Sequence, residues 1–218
     1  MAEDRTLMPL LFALTLVSGL IDAVSFLRLG HVFVSNMTGN VVLLGLAIAG
    51  AKGISIGGSL LAIAAFMIGG VIGGRLSRNV GSSAAYRLAF TTQAKVVLML
   101  VAALVAWRFG TVAYFGYAIT ALLATSMGLQ NAVVRSLAIP DITTTVVTSI
   151  ITGIAADSSP AGGENTRVGR RVISVILMLA GALVGALLVF TFGTAIALVA
   201  AALVVAAISA FAKRLAVP

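Results

Sequence analysis

Val32-Phe33-Val34-Ser35-Asn36-Met37-Thr38-Gly39-Asn40 leads straight into Val41-Val42-Leu43-Leu44-Gly45-Leu46-Ala47-Ile48-Ala49-Gly50-Ala51, and Lys52 closes the stretch. The polar, β-branched approach is followed by an apolar segment, residues 37–51, that is short for a crossing. A spanning helix needs ~20 apolar residues, and runs of ~10–14 are more often re-entrant or buried. The same design returns where Ile142-Thr143-Thr144-Thr145 leads into an apolar segment over 142–156. Whether these two segments cross or turn back decides the fold.

Around them lie six charge-poor apolar runs, at 8–29, 55–76, 91–108, 111–135, 171–191 and 193–212. Each is close to the length a helix needs to cross. The composition agrees: 61% of the 218 residues are hydrophobic and 9% charged, with mean hydropathy +1.17. A soluble domain carries about a quarter charged residues, so the chain reads as a membrane protein. The first run is expected to stay in the membrane, because its leader Met1-Ala2-Glu3-Asp4-Arg5 is not clearly basic and the run exceeds a signal-peptide core. The net charge of +8 comes from basic residues placed singly between apolar runs, which read as orientation signals and not as a nucleic-acid surface.

Those basic residues discriminate between the two arrangements, because short cytoplasmic loops carry the excess Lys and Arg. If both short segments cross, the sides hold eight and six basic residues, which decides nothing. If both turn back, one side holds Arg5, Arg75, Arg78, Arg87, Lys95, Arg135, Arg167, Arg170, Arg171, Lys213 and Arg214, against Arg28, Lys52 and Arg108. Eleven against three is a real asymmetry. The expectation is an all-α polytopic membrane protein of six transmembrane helices plus two re-entrant half-helices, with both termini cytoplasmic.

A repeat points the same way. Gly19-Leu20-Ile21-Asp22-Ala23-Val24 matches Gly128-Leu129-Gln130-Asn131-Ala132-Val133 at an interval of 109 residues, pairing Asp22 with Asn131. Met37-Thr38-Gly39 lines up with Val147-Thr148-Ser149 at 110, and Met67-Ile68-Gly69-Gly70 with Met178-Leu179-Ala180-Gly181 at 111. With three crossings per copy, the halves enter from opposite faces, the 3+3 inverted repeat common in secondary transporters. The chain is then one integral membrane domain, 1–218, with repeats over 8–108 and 111–212. Glycines at helix-packing spacing, Gly69 with Gly73, Gly70 with Gly74 and Gly181 with Gly185, let backbones approach closely in lipid. Packing within the chain is the favoured reading; a homodimer is the alternative.

The run Gly19-Leu20-Ile21-Asp22-Ala23, followed by Val32-Phe33-Val34-Ser35-Asn36-Met37-Thr38-Gly39-Asn40, resembles the YoaK family of bacterial membrane proteins, a domain of unknown function (1275). The resemblance covers nearly the whole chain and implies a bacterial inner-membrane location. It implies no chemistry, since that family has no settled activity. The family often shows Thr-Gly in the second copy, where this chain has Thr148-Ser149.

Chemistry must then come from the residues. Non-helical backbone at membrane depth is tolerated only when buried in protein or lining a wet cavity, so residues 30–36 and 137–145 predict a polar interior. A half-helix starting near Asn36 or Thr38, and its copy after Pro140-Asp141, would present N-termini suited to anions or dipoles near the midplane. Asp22, Asn36, Thr38, Asn40, Asn131, Thr143, Thr144, Thr145 and Thr148 are the candidate substrate-binding residues, with the solute held between the two N-termini. The alternative is that the Ser, Asn and Thr side chains only cap the half-helices.

Asp22 is the acidic residue well inside a confident helix, and an intramembrane carboxylate costs ~2.5–3.5 kcal/mol on insertion scales. It is either a proton or cation acceptor coupled to transport or a fixed acceptor for the N–H groups of its own hairpin. Arg28, Arg135 and Lys95 are expected to snorkel toward an interface, and His31 is read as incidental. Trp107, Phe109, Tyr114 and Tyr117 make an aromatic belt at one interface. The loop 157–166 contains glycines but no phosphate-binding motif. With no cysteine, no HExxH, no GxSxG and no paired carboxylates, catalysis is disfavoured and no cofactor or metal is expected. The expected function is a small secondary transporter for a small polar or anionic solute, with an aquaporin-like channel and a non-catalytic accessory subunit as alternatives. The partners foreseen are the lipid bilayer and the solute, without nucleic acid.

Overall fold

The computed structural model describes residues 2–79, 83–137, 147–164 and 168–216. These residues are helical almost throughout: α1 Ala2–Arg28, α2 Met37–Ile48, α3 Ile56–Asn79, α4 Ala84–Phe109, α5 Ala113–Ser136, α6 Val147–Ala156, α7 Val168–Phe192 and α8 Thr194–Ala216. Six of them, all but α2 and α6, are long and apolar enough to cross a bilayer. A chain that must satisfy its backbone without water has little choice but helices of this kind. The polytopic membrane fold read from hydropathy therefore stands, with each run extended at one end or both. The largest extension is at α4, which begins at Ala84 and not at 91, because the Ser83 hydroxyl accepts the Tyr86 N–H at 3.2 Å and caps it. Between α7 and α8 a single residue makes the corner, Gly193 at φ +84°, a left-handed value that favours glycine.

Apolar side chains of α1, α4, α5 and α8 make the core, among them Val17, Ile21, Met99, Ile119, Met127, Leu198 and Val205. Outside it, α7 lies on α1 and α3 lies on α5 with almost no side chain between them. A Cβ added to Gly181 would sit 1.9 Å from the Leu16 carbonyl oxygen, and one on Gly19 2.2 Å from that of Met178. At the other contact, a Cβ on Gly69 would sit 2.1 Å from the Thr125 oxygen and one on Gly128 2.0 Å from that of Phe66. Gly73 and Gly185 face Leu129 and Leu20 in the same way. These glycines pack inside the chain, as small-residue faces do in lipid. Gly70 and Gly74 differ: a Cβ on Gly70 meets nothing within 4 Å, and one on Gly74 only the Arg78 guanidinium at 3.8 Å.

Connections show which helix ends lie together. The Ser55 N–H donates to the Gly30 carbonyl at 3.3 Å, and His31 Nδ1 bonds the Gly53 carbonyl at 2.6 Å. The end of α1 and the start of α3 are therefore neighbours. Tyr117 at the start of α5 joins them through the Ser55 hydroxyl at 3.3 Å. At the opposite end, Leu7 and Leu10 of α1 pack with Leu88 of α4, Val134 of α5 and Ala212 of α8. The Arg171 guanidinium there bonds the Gly153 carbonyl at 2.7 Å and pairs with Asp157 at 2.5 Å, tying the end of α6 to the first turn of α7.

His31, read as incidental, is thus a structural tie. It holds φ +56°, an uncommon value for a residue with a side chain.

A cleft at the Asp22 loop

The non-helical stretch between α1 and α2 has backbone groups that must find partners away from water. Two side chains supply them. Asp22 Oδ1 accepts the N–H groups of Val34 at 3.0 Å and Ser35 at 2.8 Å, and Oδ2 accepts the Ser35 hydroxyl. Asn40, on the first turn of α2, reaches back to Phe33: its Oδ1 accepts the Phe33 N–H at 2.8 Å and its Nδ2 donates to the Phe33 carbonyl at 2.6 Å. Asn36 caps α2 by accepting the Gly39 N–H at 3.1 Å. Two backbone N–H groups and a hydroxyl thus converge on the Asp22 carboxyl group.

Phe33 stacks on Phe26 with centroids 5.1 Å apart and 23° between planes, and His31 meets Phe26 edge-on at 5.0 Å. Beside this aromatic pair a cleft of about 350 Å³ opens between α1 and α7, lined by Gly19, Asp22, Phe26, Phe33, Asn36 and Ala182, among others. Asp22 lies six residues before the end of α1, about 9 Å in at 1.5 Å per residue. The cleft therefore lies about midway between the middle of α1 and its Arg28 end.

Behind Asp22, on the inner side of α1, is a second polar group. Lys95 is wholly enclosed, at 0% exposure; its ammonium donates to Gln130 Oε1 and lies 3.3 Å from Met127 Sδ. Gln130 Nε2 in turn reaches the Ser18 hydroxyl at 3.5 Å, one turn of α1 from Asp22. Lys95 does not snorkel. With α4 starting at Ala84, it sits eleven residues inside the helix, about 16 Å from that end, beyond the reach of its four-carbon stem.

Residues 10–211 match the family described as "Protein of unknown function (DUF1275)". The chain belongs to DUF1275. A curated relative, the UPF0700 transmembrane protein YoaK of Bacillus subtilis (strain 168), is 34% identical over 154 residues, 69% of this chain and 66% of that protein. The match thus spans just under two thirds of the relative's length. No solved structure matches the chain. The resemblance read from the Asp22 and Asn36–Asn40 region is borne out.

In this DUF1275 chain the structure brings Asp22, Asn36 and Asn40 together. Thr38, on the same turn as Asn40, is exposed. The Asn131 amide donates to the Met127 carbonyl of its own helix at 2.9 Å, and Thr148 is exposed on the first turn of α6. Thr143, Thr144 and Thr145 lie outside the described residues. Lys95 reads in the sequence only as a snorkelling side chain, and Gln130, Ser18 and Ser35 are not among the candidates. A lysine flanked on both sides by apolar helix was the signal for the first, and it was hidden by placing the helix start at 91.

Proposed function

We propose that this DUF1275 protein is a small, non-enzymatic secondary transporter of the bacterial inner membrane, built as a 3+3 inverted repeat, with its solute held in the Asp22 cleft. The observation that carries the reading is the loop 33–36, non-helical backbone set within a membrane bundle, fixed by Asp22 and Asn40 and lining a cleft. Backbone of this kind belongs beside a cavity, and binding sites in secondary transporters form where such broken segments meet.

The neighbouring ends of α1 and α3 support a re-entrant α2, since a crossing segment would place Gly30 and Ser55 at opposite faces. Arg28, Lys52 and Arg108 then share the outer face and both termini are cytoplasmic. The exposed Trp107, Phe109, Tyr114 and Tyr117 form the belt on that outer side. The glycine contacts support the repeat. Gly181 on Leu16 and Gly185 on Leu20 in one half correspond to Gly69 on Thr125 and Gly73 on Leu129 in the other. They relate α1 to α5 by 109 residues and α3 to α7 by 112, one more than the 111 suggested by the Met67–Gly70 match.

A small polar solute suits the cleft, whereas an anionic one loses support, since the formal charge on its wall is a carboxylate. Asp22 is also the group over which a proton could couple to the solute. The test is reconstitution into vesicles and uptake of labelled solutes. Saturable uptake with counterflow supports the carrier, and loss of its dependence on a pH gradient in Asp22→Asn supports coupling there. Non-saturating flux would replace the carrier with a channel, and an obligate co-purifying partner without flux would replace it with an accessory subunit.

A further inference from the structure

We propose that the cleft between α1 and α7 selects an amphiphilic organic cation, with its charge against the Asp22 carboxylate and its apolar body on the Phe26–Phe33 pair. The inference rests on the transport reading for the same cleft and replaces its small polar solute with a cation that also carries an apolar body.

The lining sets the class. Asp22 is the one formally charged residue on the cleft wall, it is 5% exposed, and among the described residues it makes no ion pair. Oδ1 is occupied by two backbone N–H groups, but Oδ2 accepts only the Ser35 hydroxyl and keeps a free acceptor site. The other charges near α1 are turned elsewhere: Lys95 is enclosed on the inner side, and Arg28 lines a separate cleft with Ser55 and Tyr117. A guest in the cleft therefore meets a negative group first. Around that group the walls are mostly small and apolar, Gly19, Ala23, Ala182 and Ala186, with the Asn36 amide as the other polar group. The aromatic pair adds the attraction of a ring face for a cation within about 6 Å of its centroid. A carboxylate, a ring pair and apolar walls together discriminate by sign as well as by hydrophobicity.

Tetraphenylphosphonium and tetraphenylborate share shape and differ in sign, so they separate charge recognition from apolar partition. Equilibrium binding would be measured on the purified protein in nanodiscs of zwitterionic lipid, with empty nanodiscs subtracted. The expected result is saturable binding of tetraphenylphosphonium, none of tetraphenylborate, and at least a tenfold loss of affinity for the cation in Asp22→Asn. Asparagine keeps an acceptor for the Val34 and Ser35 N–H groups, so the loop survives, and a melting curve confirms it. Ala186→Phe, which fills the cleft without touching the Asp22 contacts, should lose the cation as well. Equal binding of both ions, or full cation affinity in both variants, would overturn the proposal. If the cation binds as described but no solute is carried, the cation site stands and the transporter reading falls. Saturable uptake of anions with no cation binding would do the reverse.

Discussion

Asp22 holds Ser35 twice, through the backbone N–H on Oδ1 at 2.8 Å and through the hydroxyl on Oδ2. One side chain of α1 thereby fixes the loop that starts α2, thirteen residues on. Removing the acceptor leaves buried donors unpaired, at about 1–3 kcal/mol each. Asp22→Ala should lower stability by ~3 kcal/mol or more on that scale, while Asp22→Asn retains most of it. Thermal unfolding in detergent checks the contrast, and equal melting points for the two variants would mean that the loop does not depend on this acceptor.

Asn40 makes a closed pair of bonds with Phe33, one accepted and one donated. Asn40→Asp keeps the acceptor and loses the donor, so it should fall between wild type and Asn40→Ala, which should cost about 2 kcal/mol. A ranking with aspartate below alanine would show that charge near Asp22, and not the lost bond, dominates.

Lys95 and Gln130 form a buried pair in which only one partner is charged. Taking away the neutral partner strands an ammonium, so Gln130→Leu should cost ~1.5–3 kcal/mol, the range for a hydrogen bond to a charged group. Lys95→Met removes the charge and should cost much less, and the double variant should recover most of the loss from Gln130→Leu. Unfolding free energies of the four proteins give the coupling directly; strict additivity would mean that the bond contributes nothing.

The glycine contacts make a sharp comparison. At Gly181 a Cβ would press on the Leu16 carbonyl at 1.9 Å, whereas at Gly70 it meets open space. Gly181→Ala should force α7 off α1 and destabilise by ~2 kcal/mol or more, as overpacking commonly costs 1–3. Gly70→Ala should be neutral or stabilising by about 0.5–1 kcal/mol through helix propensity. Similar melting points for the two variants would show that α1 and α7 are not in backbone contact.

The chain contains no cysteine, so single cysteines report topology against a silent background. Cysteines at Arg28 and Lys52 should react with an impermeant thiol reagent from the same face, and one at Arg87 from the other. Labelling of positions 28 and 52 from opposite faces would mean that α2 crosses.

Hydropathy and run length were enough to read six long helices and two short ones, because the signal is local: a span is a run of apolar residues, and burial in lipid needs nothing from afar. The Asn36–Asn40 signature carried the family resemblance for the same reason. What Asp22 bonds, that Lys95 is enclosed by Gln130 and Met127, and that a cleft opens beside Phe26 and Phe33 were decided only by tertiary structure. Each depends on which helices become neighbours, and that follows from backbone contacts such as Gly181 on Leu16 between segments some 165 residues apart. A lysine in an apolar run reads alike whether its stem runs out to an interface or in to an amide; only the packed bundle closes the first route and supplies the second.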